Sequence, residues 1–145
     1  MNPILIRDQK NNRWLSGKEF TPPEIRHRFS AEELEATRVR VHELGDESTP
    51  QLFELTFEPN FAVAVHSHAA DEIFYVVDGL LEIGNRSLGP GSSVLIRADT
   101  LYGFRAGPKG LQVLNFRPRA DSVYRTAEEH RAWARDRAKT QGQPE

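Results

Sequence analysis

The stretch of sequence that decides the fold is HSHAADE, residues 66–72, in which three of the seven side chains can bind a transition metal. On a helix, residues two apart are rotated by about 200° and point to nearly opposite sides. On a strand, residues two apart share one face. The spacing of His66 and His68 therefore predicts a strand, because only a strand brings both imidazoles to one ion.

Short apolar runs on both sides of this stretch favour the extended conformation. Residues 61–65 read FAVAV and residues 73–77 read IFYVV, and both runs are rich in β-branched or aromatic side chains. If the chain reverses at residues 69–71, Glu72 begins an antiparallel neighbour about 4.8 Å away. Its carboxylate can then face the same side as the two imidazoles. One hairpin would supply three metal ligands: His66, His68 and Glu72.

Length and composition narrow the class of protein. The chain has 145 residues and a hydrophobic content of 38%, which is enough for one domain with a modest core. A net charge of −2 and dispersed basic residues favour neither nucleic acid nor an anionic membrane surface as a partner. No long apolar run or secretory signal is seen, so we expect a cytoplasmic protein. The lack of cysteine excludes thiolate ligands, so any metal binds nitrogen and oxygen.

The pattern along the chain divides it into three parts. Residues 1–36 are predicted to form a polar N-terminal arm with a short helix opened by the capping box at Ser30, and residues 119–145 a C-terminal helix and tail. Between them, residues 37–118 have only strand signals, which predicts an all-β sandwich or barrel. Asp78-Gly79 is the strongest turn signal, typical of a type I′ hairpin between two strands. The predicted strands are 37–42, 52–57, 62–68, 72–77, 80–83, 94–96, 102–105 and 111–116.

The order and spacing of His66, His68, Glu72 and Gly79 resemble the first motif of the cupin superfamily, which these four residues fill without a gap. A glycine that usually precedes this motif is replaced by Asn60, which also tolerates a left-handed turn. The resemblance covers roughly residues 50–118. It implies a double-stranded β-helix, the cupin jelly-roll barrel, with the motif residues binding a divalent transition metal (Fe, Zn, Ni or Mn) inside.

The second cupin motif is degenerate in this chain. Its positions correspond here to Gly91, Arg97, Asp99, Tyr102 and Ala106, of which only Gly91 matches the family pattern. Alternatives to the metal site therefore stay open. The two histidines would then be hydrogen-bonded polar residues at a barrel mouth, Glu72 a solvated residue at a strand start, and the protein a cupin without metal.

Tyr102 stands where the family has the histidine that completes the ligand set. Its loss leaves two histidines and one carboxylate, an arrangement with open coordination positions for water or substrate. Tyr102 can then act as a hydrogen-bond donor or general acid or base beside the ion, which is the role we favour and the reason we predict it to be catalytic. It could instead ligate the metal directly or only fill barrel volume.

Strand alternation extends the prediction from the ligands to a pocket. Residues of matching parity are Ala62 and Ala64 beside His66, Phe74 and Val76 beside Glu72, and Phe104 beside Tyr102. Phe74, Phe104 and Ala64 are the predicted substrate-binding residues. Arg40 and His42 share the polar face of their strand, which we interpret as solvated. His27 and His130 receive no role.

The function favoured by these residues is a small metal-dependent enzyme, of lyase, isomerase or oxygenase type, acting on a small organic molecule in the barrel. The alternative is a non-catalytic cupin that binds a small molecule or is purely structural, with a vestigial metal site. No nucleic-acid or membrane partner is expected. Because terminal arms and strand edges commonly pair jelly-roll barrels, we expect a homodimer.

Overall fold

The computed structural model describes residues 3–142, in which nine strands pair antiparallel in one sheet that folds around an apolar core. The strands are β1 (Leu15–Ser16), β2 (Thr37–Glu43), β3 (Gln51–Phe57), β4 (Ala62–Ser67), β5 (Glu72–Ile83), β6 (Arg86–Leu88), β7 (Ser93–Ile96), β8 (Tyr102–Arg117) and β9 (Arg125–Thr126). β1, β2, β3, β8, β4 and β9 are neighbours in this order, and β5 pairs with β6, β7 and β8. The fold is mostly β, as predicted.

Four helical segments lie at the two ends of the described chain. They are α1 (Gly17–Phe20), a 3₁₀ helix (Pro23–Arg28), α2 (Ala31–Ala36) and α3 (Ala127–Gly142). The hydroxyl of Ser30 accepts a hydrogen bond from the Glu33 amide at 3.0 Å, which caps α2. The hydroxyl of Thr126 accepts one from the Glu129 amide at 3.2 Å at the start of α3. Among the described residues no helix combines the length and the hydropathy needed to cross a bilayer.

The core forms because alternate residues of the central strands point inward. On β5, Phe74 and Val76 are 4% and 0% exposed, whereas Tyr75 between them is 45% exposed. On β8, Leu111 and Val113 follow the same alternation and pack in the same cluster. Each fully buried side chain of this size stabilises the fold by roughly 1.5–3 kcal/mol. Alternation along β5 and β8 thus fixes which side chains face the interior.

The prediction of a hairpin at Asp78-Gly79 is wrong, because β5 runs without a break from Glu72 to Ile83. Gly79 has a φ of +76°, and a Cβ there would lie 2.1 Å from the carbonyl oxygen of Gly110. The glycine therefore permits a register shift and a close backbone approach to β8 inside a strand. The reversal comes instead at Gly84, with a φ of +58°, between β5 and β6.

The two strands predicted at 102–105 and 111–116 are likewise one strand, β8. Its pairing with β5 passes from Ala106 opposite Leu81 to Leu111 opposite Gly79. Four residues, 107–110, therefore bulge out where a single residue of β5, Leu80, separates the paired positions. The bulge bends β8, so that one strand pairs with β3 along its second half and with β4 along its first.

The N-terminal arm packs on the barrel of its own chain. β1 pairs with β2 through Leu15 opposite Val39, and the guanidinium of Arg40 lies 4.7 Å from the ring centroid of Trp14. The interpretation of Arg40 and His42 as a solvated face is wrong, since both are half-buried and bind the carboxylate of Glu54. The reason is that the arm covers this face of the sheet. The homodimer stays a prediction.

Candidate functional site

Three strands bring the polar residues of the barrel together. His66 on β4 pairs in register with Tyr102 on β8, and Glu72 begins β5. The hydroxyl oxygen of Tyr102 lies 3.1 Å from His66 Nε2 and also contacts the carboxylate of Glu72. The ring centroids of His66 and His68 are 4.9 Å apart. The structure therefore brings the three predicted metal ligands and Tyr102 into one cluster. The prediction that a single hairpin supplies the ligands is wrong, because β4 and β5 do not pair with each other and each pairs with β8 instead.

A bulge in β4 changes which of its neighbours face the interior. Val63 pairs with Phe104 and His66 pairs with Tyr102, so three steps on β4 match two on β8. His66 therefore shares its face with Val63, and the predicted inward placement of Ala62 and Ala64 by simple alternation is wrong. The extra residue of a bulge inverts the parity beyond it. Ala64 instead contributes its carbonyl oxygen, which accepts a hydrogen bond from His66 Nδ1 at 2.6 Å.

Backbone carbonyls fix the tautomers of both histidines. His66 Nδ1 donates to Ala64, and His68 Nδ1 donates to the carbonyl of Val123 at 2.8 Å. Because a carbonyl oxygen only accepts, each Nδ1 carries the hydrogen and each Nε2 presents a lone pair. Burial lowers the pKa of His66, and burial together with the charge of Arg117 lowers the pKa of His68 to about 4. Both rings are therefore neutral near pH 7.

The hydroxyl of Tyr102 lies beside two hydrogen-bond acceptors but has only one hydrogen. Burial and the adjacent charge of Glu72 raise its pKa, so the hydroxyl stays protonated. It donates to Glu72 Oε1, and the lone pair of His66 Nε2 also faces the hydroxyl oxygen. A hydroxyl has a single hydrogen. While it is given to Glu72, His66 Nε2 has no hydrogen to accept from Tyr102.

Arg117 supplies the positive charge at the centre of the site. Its Nη2 lies 3.0 Å from Glu72 Oε2 and 3.3 Å from His68 Nε2. The side chain of Glu72 is 1% exposed and that of Arg117 is 12% exposed, so the ion pair is largely shielded from water. Asn115 also donates to Glu72 Oε2, at 3.0 Å. Glu72 is thus held by one arginine, one amide and one phenol.

The donor types fit a divalent metal, but their arrangement does not. Neutral imidazoles with Nε2 lone pairs, next to a carboxylate, are ligands that zinc, iron, nickel and manganese accept. However, the guanidinium of Arg117 contacts two of the three donors, His68 and Glu72. Within residues 3–142, no group of three or more His, Cys, Asp or Glu side chains has the geometry to hold an ion. We therefore derive no catalytic step through a metal.

Aromatic side chains form one wall of the cluster. The rings of Tyr102 and Phe104 stack at 6.4 Å between centroids, and Phe74 packs edge-on against Phe104 at 5.4 Å. Phe74 and Phe104 are only 4% and 6% exposed. Both belong to the hydrophobic core, where they support the ring of Tyr102. Their contact with substrate stays a prediction.

Several residues of the site were missed by the sequence analysis. Arg117 and Asn115 lie on the inward parity of β8, so extending the alternation of residues 111 and 113 would have found them. The ring of Tyr124 stacks on His66 at 4.8 Å with an interplanar angle of 14°. Asp121 accepts hydrogen bonds from two amides of the 69–70 turn and from Val123. No sequence signal pointed to residues 121–124, which close over the histidines.

His130 on α3 also has a partner that the sequence did not indicate. Its Nδ1 lies 2.8 Å from the hydroxyl of Ser67. Ser67 is fully buried and lies between His66 and His68 in the sequence. α3 also contacts β4 and β9. This contact ties the C-terminal helix to the strand that carries the site.

Comparison with known proteins relates the chain to others by structure. No family model matches the chain, and no curated protein matches it significantly. Many solved structures match. A protein of unknown function with a cupin-like fold from Ralstonia eutropha JMP134 aligns with a TM-score of 0.64 at 12% identity, over 97% of this chain and 90% of that one.

Two further similar structures are those of named proteins. KdgF from Halomonas sp. aligns with a TM-score of 0.56 at 20% identity, over 77% of this chain and 93% of that one. The polyketide cyclase RemF from Streptomyces resistomycificus aligns with a TM-score of 0.55 at 22% identity, over 69% of this chain and 79% of that one. At these identities the likeness establishes the fold alone.

Proposed function

We propose that this chain, which has the cupin jelly-roll fold, is a small enzyme that transfers protons on a compact organic molecule. The reaction would be of lyase or isomerase type, in which a substrate C–H bond next to a carbonyl group breaks. The proton passes to His66 Nε2, and the bonding electron pair is delocalised onto the carbonyl oxygen. Returning the proton to another carbon, or expelling a leaving group, completes the reaction without an oxidant.

One observation carries this proposal: a single hydroxyl hydrogen lies between two acceptors. Tyr102 donates to Glu72, so the lone pair of His66 Nε2 receives no hydrogen and can take up a proton. If His66 gains a proton, its Nε2 can donate to the Tyr102 oxygen while Tyr102 still donates to Glu72. Each partner in the chain His66–Tyr102–Glu72 then has a matching donor or acceptor. Protonation of His66 thus completes the hydrogen-bond network.

The remaining residues hold this chain in place. Arg117 and Asn115 keep the carboxylate of Glu72 oriented, and the carbonyl of Ala64 keeps His66 Nδ1 protonated. Tyr102 is a positioning residue for the base in this scheme. One similar structure is named a polyketide cyclase, so catalysis is compatible with this fold.

Hydrogen exchange in D₂O tests the proposal without knowledge of the product. Compact ketones with one or two rings are incubated with the protein at pD 7 to 8, and NMR records the loss of α-proton signals. We expect exchange above the buffer rate with the wild-type protein. The His66→Ala variant should lose this activity by about 100- to 10,000-fold, the usual worth of a general base.

A matched control is His27→Ala, because His27 lies exposed on the 3₁₀ helix. It should exchange at the wild-type rate. Equal exchange by His66→Ala and the wild type would refute the assignment of the base. A lack of exchange across the panel by folded wild-type protein would favour the alternative, a cupin that binds a small molecule or is structural without catalysis.

The second candidate is the metal-dependent enzyme favoured by the sequence, with His66, His68 and Glu72 as ligands. The fixed Nδ1–H tautomers support it, because second-shell bonds of this kind orient histidines in metal sites. It requires the guanidinium of Arg117 to move away. Elemental analysis of purified wild type against the His66→Ala, His68→Ala double variant tests it. Near-stoichiometric Fe, Zn, Ni or Mn, lost in the variant, would establish the metal site on which this candidate depends.

A further inference from the structure

A cavity of about 240 Å³ adjoins the site and reaches His66 from the side of the N-terminal arm. His66 and Tyr124 are among its polar lining residues. Its other walls are mostly apolar and come from both the arm and the barrel; they include Phe20, Phe29, Leu34, Leu55, Val63 and Ala64. Glu72, Arg117 and Tyr102 do not line it. Among the members of the proposed proton-transfer chain, His66 is therefore the one that a guest in this cavity would meet.

The arm is held in a defined position where it forms the cavity wall. Phe20 of α1 packs edge-on against Phe53 of β3 with 5.1 Å between ring centroids. Phe29 packs against Tyr124 at 5.3 Å, and the guanidinium of Arg28 donates to the Tyr124 carbonyl at 3.3 Å. Residues far apart in sequence thus line one space. The arm contributes to a site and does more than cover the sheet.

The residues that line the cavity limit the net charge of a molecule that can bind there. Of the described residues that line the cavity, Glu33 alone carries a formal charge, and neither lysine nor arginine is among them. A buried anion would have no cation to pair with there. The uncharged polar residues of the lining are Thr21, Thr37, His66 and Tyr124. They suit a guest with one neutral oxygen and an otherwise apolar surface.

The volume limits the size of the guest. An engineered apolar cavity of about 150 Å³ binds benzene, whereas sites for drug-sized ligands begin at about 300 Å³. A cavity of 240 Å³ lies between these sizes. One substituted ring or a fused pair of rings matches it. The rings of Phe20, Phe29 and Tyr124 also offer aromatic faces and edges for such a guest.

We propose that the cavity binds a compact, neutral, one- or two-ring molecule, and that this is the substrate class of the site. The identification as substrate rests on the proposed function, because it takes His66 to be the base. Binding itself depends only on the cavity. Proton transfer would then occur on a ring substituent or ring carbon placed against His66.

Binding of two fluorescent probes of equal shape tests the charge and the size. The neutral probe is 2-naphthol and the anionic probe is 2-naphthoate, each titrated into the full-length protein at pH 7. We expect saturable binding of 2-naphthol, and binding of 2-naphthoate weaker by about 10-fold or more. Equal affinity for both probes, or no saturable binding of 2-naphthol, would overturn the proposal.

A pair of variants on one strand tests the location. Ala64 lines the cavity and Ala62 does not, and both are exposed positions of β4, so a larger side chain at either leaves the core intact. Ala64→Phe should weaken 2-naphthol binding by about 10-fold or more, and Ala62→Phe by less than about twofold. Equal effects of the two changes would place the probe elsewhere. Circular dichroism on both variants checks that they are folded.

The two proposals fail separately. The His66→Ala variant keeps most of the cavity wall, so it should bind 2-naphthol while losing hydrogen exchange. Binding without exchange in the wild type would leave the cavity as a binding site and remove the enzymatic function. Exchange on open-chain ketones, with no binding of 2-naphthol, would retain the base and overturn the substrate class.

Discussion

Glu54 and Glu72 are both buried glutamates of this sheet, and each contacts an arginine and a side-chain amide. Glu54 Oε1 accepts from Arg40, with Nη2 at 2.8 Å, and from His42 Nε2 at 3.0 Å, while Gln112 donates to its other oxygen. Glu72 accepts from Arg117, Asn115 and Tyr102. Similar residue types therefore surround two carboxylates.

The histidines distinguish the two clusters. His42 donates directly to Glu54, so every hydrogen bond there has its own hydrogen. His66 reaches Glu72 only through the hydroxyl of Tyr102, whose single hydrogen faces two acceptors. The Glu54 cluster lies on the outer face of the sheet and joins the arm to it. The Glu72 cluster lies inside and keeps one free base. The two clusters differ in whether every hydrogen-bond acceptor has a hydrogen of its own. This difference, more than the residue types, separates a structural network from a candidate active site.

The largest effect should come from removing the arginine of the inner cluster. Arg117→Met leaves the charge of Glu72, 1% exposed, without its ion-pair partner, which costs about 3–5 kcal/mol of folding free energy. Arg40→Met should cost about 1–2 kcal/mol, because His42 and Gln112 still bind Glu54. Urea unfolding at pH 7 measures both. Equal losses of folding free energy for Arg117→Met and Arg40→Met would show that the two clusters do not differ in their dependence on arginine.

Acid should destabilise the inner cluster through His68. Its folded pKa of about 4 lies below the ordinary histidine pKa of 6.5, so the unfolded chain binds a proton first as the pH falls. Its contribution to stability is therefore lost from about pH 6.5 toward pH 4, by at most roughly 3 kcal/mol. Urea unfolding from pH 7 to 4 should show a smaller loss for His68→Asn than for wild type. His27→Asn, at an exposed position, serves as the control, and identical slopes for all three proteins would contradict the expectation.

Removing the shared hydroxyl should affect stability and exchange together. Tyr102→Phe leaves one oxygen of the buried Glu72 without its donor, at a cost of about 1–3 kcal/mol. It also removes the link between His66 and Glu72, so D₂O exchange should fall by about 10- to 100-fold while 2-naphthol still binds. NMR exchange and urea unfolding measure these effects. Unchanged exchange in a destabilised variant would make Tyr102 a packing residue only.

The smallest effect belongs to the amide of the outer cluster. Gln112→Leu removes one of several donors to Glu54 at a half-buried position, so we expect a loss of about 1 kcal/mol. Asn115→Leu, at a 2% exposed position of the inner cluster, should cost more, roughly 1–3 kcal/mol. Thermal unfolding of the two variants gives the comparison. A larger loss of folding free energy for Gln112→Leu than for Asn115→Leu would contradict this expectation.

Local signals predicted the features that depend on few neighbouring residues. The cap at Ser30 opens α2 where the sequence indicated it, because capping needs only residues three positions apart. The strand that carries His66 formed for a similarly local reason. By contrast, Asp78-Gly79 has the sequence of a hairpin turn and lies inside β5, because Gly79 must approach Gly110 of another strand.

The sequence by itself determined a mostly β chain, the start of α2 and the shared face of His66 and His68, since strand period and capping are local properties. The placement of Glu72 and Tyr102 beside the two histidines was implied by the resemblance to the cupin motifs. Only the tertiary structure decided that Arg117 contacts two of these residues, that a bulge inverts the parity before His66, and that Phe20, Phe29 and Tyr124 enclose a cavity beside it. These features join residues far apart in the chain. Their contacts depend on strand register and on the path of the arm, which a local pattern does not encode.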